Sequence, residues 1–346
     1  ESLVLDLRGN SGGYLTQAIE VSDKFIGGGK KIVYTQGRIF GSSEEYYATE
    51  EATHPDVPMV VLINAGSASA SEIVSGAIQD WDRGRVVGST SFGKGLVQRQ
   101  YPLRNGGALL LTVARYYTAS GRLIQRPYEA GERDEYYRQA GRMHPGDEDL
   151  EESPDVADDT GAEATGTEDT AEDTAEDIAE DAEKEAPVYT TLLQNRTVTG
   201  GGGITPDVEI DELYRSSRLN NELTFDRKYF DYTTQAIGDG KITWDGTFEE
   251  FVSQFRVTED LLDGLQAYLE ADSFSYEPDS FAVHTDEIRR GLRAEIANHL
   301  WGDNERYRIL IQDDPAIARA IALVPEAEEL LSKTRQIEAQ RAARED

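Results

Sequence analysis

The chain has 346 residues, with 34 Lys and Arg against 66 Asp and Glu, a formal net charge of −32. It contains no Cys, which excludes disulfides, thiolate metal sites and a cysteine nucleophile. The acidity argues against general nucleic-acid binding, which needs a basic face, and no apolar run approaches the roughly 18 residues of a membrane span. The sequence opens at Glu1-Ser2 and enters an apolar strand at once, without Met, a basic n-region or a signal h-region. It reads as a fragment of a longer protein.

Residues 1–127 alternate short apolar runs, Gly-rich turns and helical stripes, the pattern of an α/β domain. Leu3–Leu7 reads as a buried strand, and Ala18, Ile19, Val21 and Phe25 form a helical stripe over Gln17–Phe25. Lys31–Thr35 and Met59–Asn64 read as strands. Ile73, Val74, Ala77, Ile78 and Trp81 make a second helical stripe, followed by strands at Arg85–Gly88, Leu96–Tyr101 and Ala108–Tyr116. Residues 147–186 differ in kind: they hold 19 acidic side chains and one basic one, Lys184, and repeat TAED, TAED, IAED over Thr170–Asp181. Such a tract buries too little apolar surface to offset its ordering entropy and is expected to be a disordered acidic insertion. Outside it the net charge is only −14, compatible with some salt adaptation. Gly200–Gly203 then feeds the short strand Ile204–Ile210, where the chain re-enters the first domain. From Asp211 to Asp346 the signals are mainly helical, over Thr247–Val257, Thr258–Ala271, Asp279–Gly302 and Pro315–Arg344, with caps expected at Thr258 and Asp279. The expected domains are therefore 1–127 (core), 128–198 (insertion), 199–210 (return strand) and 211–346 (C-terminal helical domain).

Three segments carry chemistry. Asn64–Glu72 joins a strand to a helix through small residues. There a hydroxyl at Ser69 stands at a helix N-terminus and the Ala70 amide points at a developing oxyanion. The same letters also spell S-x-x-E, a plain capping box of Ser69 with Glu72. A serine nucleophile needs a base. His54, His284 and His299 sit in contexts that look like surface or helix positions, and His144 lies beside the acidic insertion. Lys94, between Gly93 and Gly95, is the alternative base, provided burial keeps it neutral. Strand alternation would put Lys94, Leu96 and Gln98 on one face. Gly88–Gly95 is also a near miss to a phosphate loop, with Gly95 where Ser or Thr is needed and a strand following instead of a helix. Third, Leu5–Tyr14 ends a strand in a loop with Gly9, Gly12 and Gly13, and either Gly12 or Gly13 could supply a second oxyanion amide.

Together the blocks LVLDLRGNSGG (3–13), VVLINAGSASASEIVSGAIQD (60–80), GRVVGSTSFGKGLVQ (84–98), LLLTVARYYTASGRLIQ (109–125) and GGGITPDVEI (201–210) resemble the C-terminal processing peptidases, or tail-specific proteases. The resemblance implies a ClpP/crotonase-like α/β protease core. It implies a Ser/Lys dyad of Ser69 and Lys94, with Gln98 positioning the lysine. The implied oxyanion hole is Ala70 with Gly12 or Gly13, and Ser67 and Ser71 are the rival nucleophiles. It implies an acyl-enzyme mechanism without metal or cofactor, an extracytoplasmic setting, and substrates with apolar C-terminal tails. A PDZ-like domain would precede the core. The helical region after Asp211 matches no family motif and could be a cage, an arm for self-association or an adaptor surface. A catalytically inactive, peptide-binding scaffold is the alternative function.

Overall fold

The computed structural model describes residues 1–104, 106–127, 186–210, 217–277, 279–312 and 314–345. Of the acidic tract expected at 147–186, residues 147–185 lie outside the described residues. The chain divides into two compact units, Glu1–Asp211 with Arg319–Asp346, and Glu212–Ala318.

The first unit is α/β. Its central sheet has the order β1 (Leu3–Asp6), β4 (Met59–Ile63), β5 (Arg85–Gly88) and β10 (Val208–Glu209). All three pairings are parallel, with Leu5 opposite Val61, Val61 opposite Val86 and Val208 opposite Val87. β4 is Met-Val-Val-Leu-Ile and buried at every position. That continuous apolar run is what a parallel strand covered on both faces requires. The segment after the insertion does return to the core: Asp207 N–H donates to Val86 O at 2.7 Å and Ile210 N–H to Gly88 O at 2.9 Å. A second, antiparallel sheet has the order β3 (Glu45–Tyr47), β2 (Lys31–Gln36), β7 (Ala108–Thr118) and β6 (Leu96–Pro102). The three-residue β3 and the hairpin β8 (Val188–Thr190) with β9 (Thr197–Thr199) are too short for a sequence pattern to announce.

Two helices pack on this framework, α1 (Leu15–Asp23) and α2 (Ala70–Asp80). Ser71 through Asp80 are all buried, so α2 runs through the core. Its apolar side chains Ile73, Val74, Ala77 and Ile78 join Ile32, Val33, Met59, Val61, Ile63 and Val86 in one cluster. Its polar residues are satisfied individually. The Arg122 guanidinium pairs with Asp80, both almost inaccessible at 1% and 0%, and also donates to Gln79 Oε1 at 2.9 Å.

The second unit is all-helical: α3 (Arg218–Phe225), α4 (Lys228–Gly238), α5 (Phe248–Gln254), α6 (Glu259–Ala271), α7 (Ser280–Val283), α8 (Thr285–Trp301) and α9 (Asp303–Gln312). Leu219, Leu223, Tyr229, Phe251, Leu265 and Ile288 lie in its core. Thr258 and Asp279 occupy N-cap positions, but neither side chain makes a capping bond. The box forms instead at Thr247, whose N–H donates to Glu250 Oε2 at 2.8 Å while its Oγ1 accepts from Glu250 N–H at 3.2 Å. The single helix expected at Pro315–Arg344 is two, α10 (Pro315–Ala322) and α11 (Val324–Glu345), interrupted at Leu323 just before Pro325. Proline is tolerated in a first turn and not inside a helix.

The bounds expected for the helical domain, 211–346, thus differ from the compact unit Glu212–Ala318. α11 belongs to the first unit. Thr334 Oγ1 donates to Asp82 O at 2.8 Å, Gln194 Nε2 donates to Leu330 O and Thr334 Oγ1 at 2.9 Å each, and Lys30 pairs with Glu338. A mostly polar helix gives no periodic sign of which unit its narrow apolar edge will join.

Candidate active site

Ser69 sits between β4 and α2, half-buried, with φ 53° and ψ −114°. A non-glycine residue in this region carries strain of about 1–3 kcal/mol and stays there only when its neighbours hold it. The neighbours here are the β1 loop and the turn itself. Asn10 O accepts from Ala68 N–H and from Ser71 Oγ, each at 3.0 Å. Ser67 Oγ donates to Leu7 O at 2.7 Å and accepts from Asn64 N–H at 3.0 Å. Ser67 and Ser71 are buried and their hydroxyls tie the turn to β1, whereas Ser69 stands in the strained position.

Glu72 explains how the turn is held. It is wholly buried and accepts four hydrogen bonds. Oε2 takes the Ser69 N–H at 2.8 Å and the Lys94 N–H at 2.9 Å; Oε1 takes the Gly93 N–H at 2.7 Å and the Ser91 hydroxyl at 2.5 Å. The S-x-x-E spacing was legible as a cap. Its second half, a clamp on a loop more than 20 residues downstream, was not. Burial pushes the Glu72 carboxyl above the usual carboxylate range, against the hydrogen bonds from Ser91, Lys94, Gly93 and Ser69. All four partners are donors, and only a carboxylate accepts from all of them without conflict.

Lys94 is half-buried in the loop before β6. The glycines beside it permit contact with the segment after β7. A Cβ on Gly95 would lie 2.5 Å from Gln125 N, and Gly95 N–H donates to Gln125 Oε1 at 2.9 Å. Because Ser69 and Lys94 amides share one carboxylate oxygen, these two expected residues are brought together at backbone level. Gln98 is not placed by the argument used to expect it. Lys94 precedes β6, and the ladder is irregular between Val97 (opposite Ala114) and Gln98 (opposite Thr112). Strand alternation therefore does not reach back to Lys94, and Gln98 is exposed. A strand, not a helix, follows Lys94, as the rejection of a phosphate loop required.

Gly12 lies against the turn with φ +101°. A Cβ there would stand 2.7 Å from Ala68 O, 2.8 Å from Ala70 N and 2.9 Å from Ser69 Cβ. Only glycine leaves the space in front of the Ala70 amide open. The Gly12 N–H itself donates to Asn10 Oδ1 at 2.9 Å, while Gly13 is exposed with nothing near its Cα substituent position. Of the histidines, His54 is exposed, His284 precedes α8, His299 stacks on Phe230 at 4.8 Å, and His144 lies outside the described residues. Among the described residues no group of three or more His, Asp or Glu is arranged to hold a metal ion, and no helix is long and apolar enough to cross a membrane. A cleft of about 910 Å³, lined by Phe25, Trp81, Arg83, Leu331 and Arg335 among others, includes none of the expected site residues.

The sequence that builds this geometry has relatives. Residues 1–130 match peptidase family S41. That segment is similar to the S41 peptidases. The carboxy-terminal-processing protease of Bartonella bacilliformis is 52% identical over 122 residues, which is 35% of this chain and 28% of that protein. The carboxyl-terminal-processing protease of Synechocystis is 44% identical over 118 residues, 34% of this chain and 27% of that protein. A solved photosystem II D1 C-terminal processing protease has 36% identity and a TM-score of 0.33, over 36% of this chain and 32% of that one. The chain therefore spans under a third of the length of the curated relatives it matches. Residues 217–302 match a family of unknown function (DUF8443). The matched segment ends before the acidic tract and includes Ser69, Glu72 and Lys94.

Proposed function

We propose that the S41 domain is a Ser/Lys endopeptidase that processes or degrades proteins from their C-terminal tails through an acyl-enzyme. The observation that carries this reading is the shared carboxylate: Glu72 Oε2 receives both the Ser69 and the Lys94 amide, and Ser69 is the strained residue at the head of α2. The relatives' printed names, carboxy-terminal-processing proteases, support the substrate class.

In this mechanism neutral Lys94 removes the Ser69 hydroxyl proton as Oγ attacks the scissile carbonyl. The oxyanion forms against the Ala70 amide, one of the free N-terminal donors of α2, over the space that Gly12 leaves open. We assign the second donor to Gly13, since the Gly12 amide is engaged by Asn10. Lys94 then protonates the leaving amine, the acyl-enzyme forms, and water activated by Lys94 releases the product. No step calls for a metal or cofactor. The role of Gln98 in orienting Lys94 rests on the family resemblance alone, as do the preference for apolar tails, a PDZ-like partner domain and an extracytoplasmic setting. Self-association or adaptor binding through the helical unit is a further expectation of the same kind.

The test uses the full-length protein and a loosely folded substrate bearing an apolar C-terminal tail, from pH 6 to 10. Wild type should cleave, at a rate rising as the base deprotonates, and Ser69→Ala and Lys94→Ala should be folded and inactive. Cleavage that survives Lys94→Ala would place the base elsewhere. A wild type that binds but never cleaves would favour the peptide-binding scaffold.

A further inference from the structure

We infer that Ser91 is a positioning residue that couples the return segment Gly203–Ile204 to the catalytic turn through Glu72. The inference deepens the Ser/Lys reading and rests on it. Ser91 is completely buried. Its Oγ accepts the Ile204 N–H at 2.6 Å, so its single proton is left for Glu72 Oε1 at 2.5 Å. Ser91 N–H in turn donates to Ile204 O at 3.1 Å, which clasps the two segments in both directions. The approach depends on Gly203, at φ +97°: a Cβ there would stand 2.5 Å from Ser91 O and 2.8 Å from Ser91 Oγ. Gly203 is itself anchored by its N–H to Ile124 O at 2.9 Å.

Of the four donors to Glu72, three are backbone amides, of Ser69, Gly93 and Lys94, and Ser91 is the one side chain. The charged and polar surroundings come from three further directions. The loop before β6 brings Lys94, the segment after β7 brings Arg126, whose guanidinium donates to Ser91 O at 3.4 Å, and the β1 loop brings neutral Asn10. The return segment contributes only backbone, the Ile204 N–H and C=O.

Removing the Ser91 hydroxyl takes one donor from a buried carboxylate and leaves the Ile204 N–H without an acceptor. A protonated Glu72 is a weaker acceptor than the carboxylate, so its hold on the amides of Ser69, Gly93 and Lys94 weakens. The catalytic turn then loosens at a higher pH than in the wild type. The segment Gly203–Ile204, distant in sequence, thus completes a site built mainly by residues near the start of the chain.

The experiment labels Ser69 in the full-length protein with a fluorophosphonate probe from pH 5 to 9, with thermal melting in parallel. Labelling of wild type that disappears in Ser69→Ala establishes the nucleophile; no labelling of wild type overturns the Ser/Lys reading and this inference with it. Where wild type labels, Ser91→Ala should move the acid limb of the rate upward by about one pH unit, for one lost hydrogen bond to a charged group, and lower the plateau roughly tenfold. Ser91→Cys, nearly isosteric with a weak donor, should shift the limb in the same direction by less. A Ser91→Ala protein that melts earlier yet keeps the wild-type limb and plateau overturns the inference. If Ser91→Ala does not fold, Ser91→Cys decides, and a wild-type midpoint there overturns it equally.

Discussion

Four hydrogen-bond donors favour the Glu72 carboxylate and burial disfavours it, and that balance has a sign that can be measured. Burial raises its carboxyl above the ordinary range, so the native state keeps a proton that the unfolded chain has already released. The contribution of this group to stability is complete below the ordinary carboxylate pKa and is lost as pH rises through the native value. Glu72→Gln removes the titration. The variant should lose about 1–3 kcal/mol, because an amide NH2 now faces backbone donors. Its unfolding free energy should also fall less than that of the wild type as pH rises above the ordinary carboxylate range. Urea denaturation across that range checks both, and parallel slopes would refute the second. On the proposed Ser/Lys reading, the same substitution should abolish fluorophosphonate labelling of Ser69, since one Glu72 oxygen holds both the Ser69 and the Lys94 amides.

At the scale of elements, the C-terminal end of α2 is fastened by buried charge. Asp80 pairs with Arg122 and its Oδ2 accepts the Ser120 N–H at 2.8 Å. Asp82, at φ 52°, pairs with Arg196 at 2.6 Å, and Arg196 reaches Asp207 at 2.5 Å. Desolvation opposes the Arg196 charge, but Asp207 and Asp82 outweigh it together and leave the guanidinium pKa raised. These bonds hold α2, the strand β7 exit, the β8–β9 hairpin and β10 in one register. Asp80→Ala strands the Arg122 guanidinium in the core and should cost about 3–5 kcal/mol. The paired change Asp80→Leu with Arg122→Met removes both charges and should cost markedly less. Equilibrium denaturation of the two proteins compares them; equal losses would show that the ion pair is not what the single variant breaks.

At the scale of the whole molecule, two cores are built from separate stretches of sequence. Residues Glu212–Ala318 enclose their own apolar cluster, from Leu219 on α3 to Ile309 on α9. A unit of this size with its own core should fold alone. A fragment spanning residues 212–318 is expected to show a helical circular-dichroism spectrum and a single cooperative melt. A gradual, non-cooperative melt would mean that its core depends on the rest of the chain. The first unit is closed instead by chain that returns from a distance, β10 after the insertion and α11 from the C-terminus.

Local chemistry determined much of this protein by itself. Apolar runs specify β4 and β5, a helical stripe specifies α2, and small residues between strand and helix mark the turn at Ser69. Those are nearest-neighbour effects of side-chain size, period and backbone freedom, and they are written in contiguous residues. The strand pairing and the register of the return strand follow once such elements must bury their apolar faces. Other features needed the tertiary structure. Glu72 read as a cap until Gly93 and Lys94 were folded onto it. Ser91 carries no local sign of its role, because its partners are Glu72 and Ile204, far apart in sequence. The register shift beside Gln98 arises from an extra residue on the opposite strand. The unit that α11 joins is decided by single contacts such as Thr334 with Asp82. A pattern along the chain records which face of an element is apolar; which distant polar atom meets a buried carboxylate is settled only when the chain has closed around it.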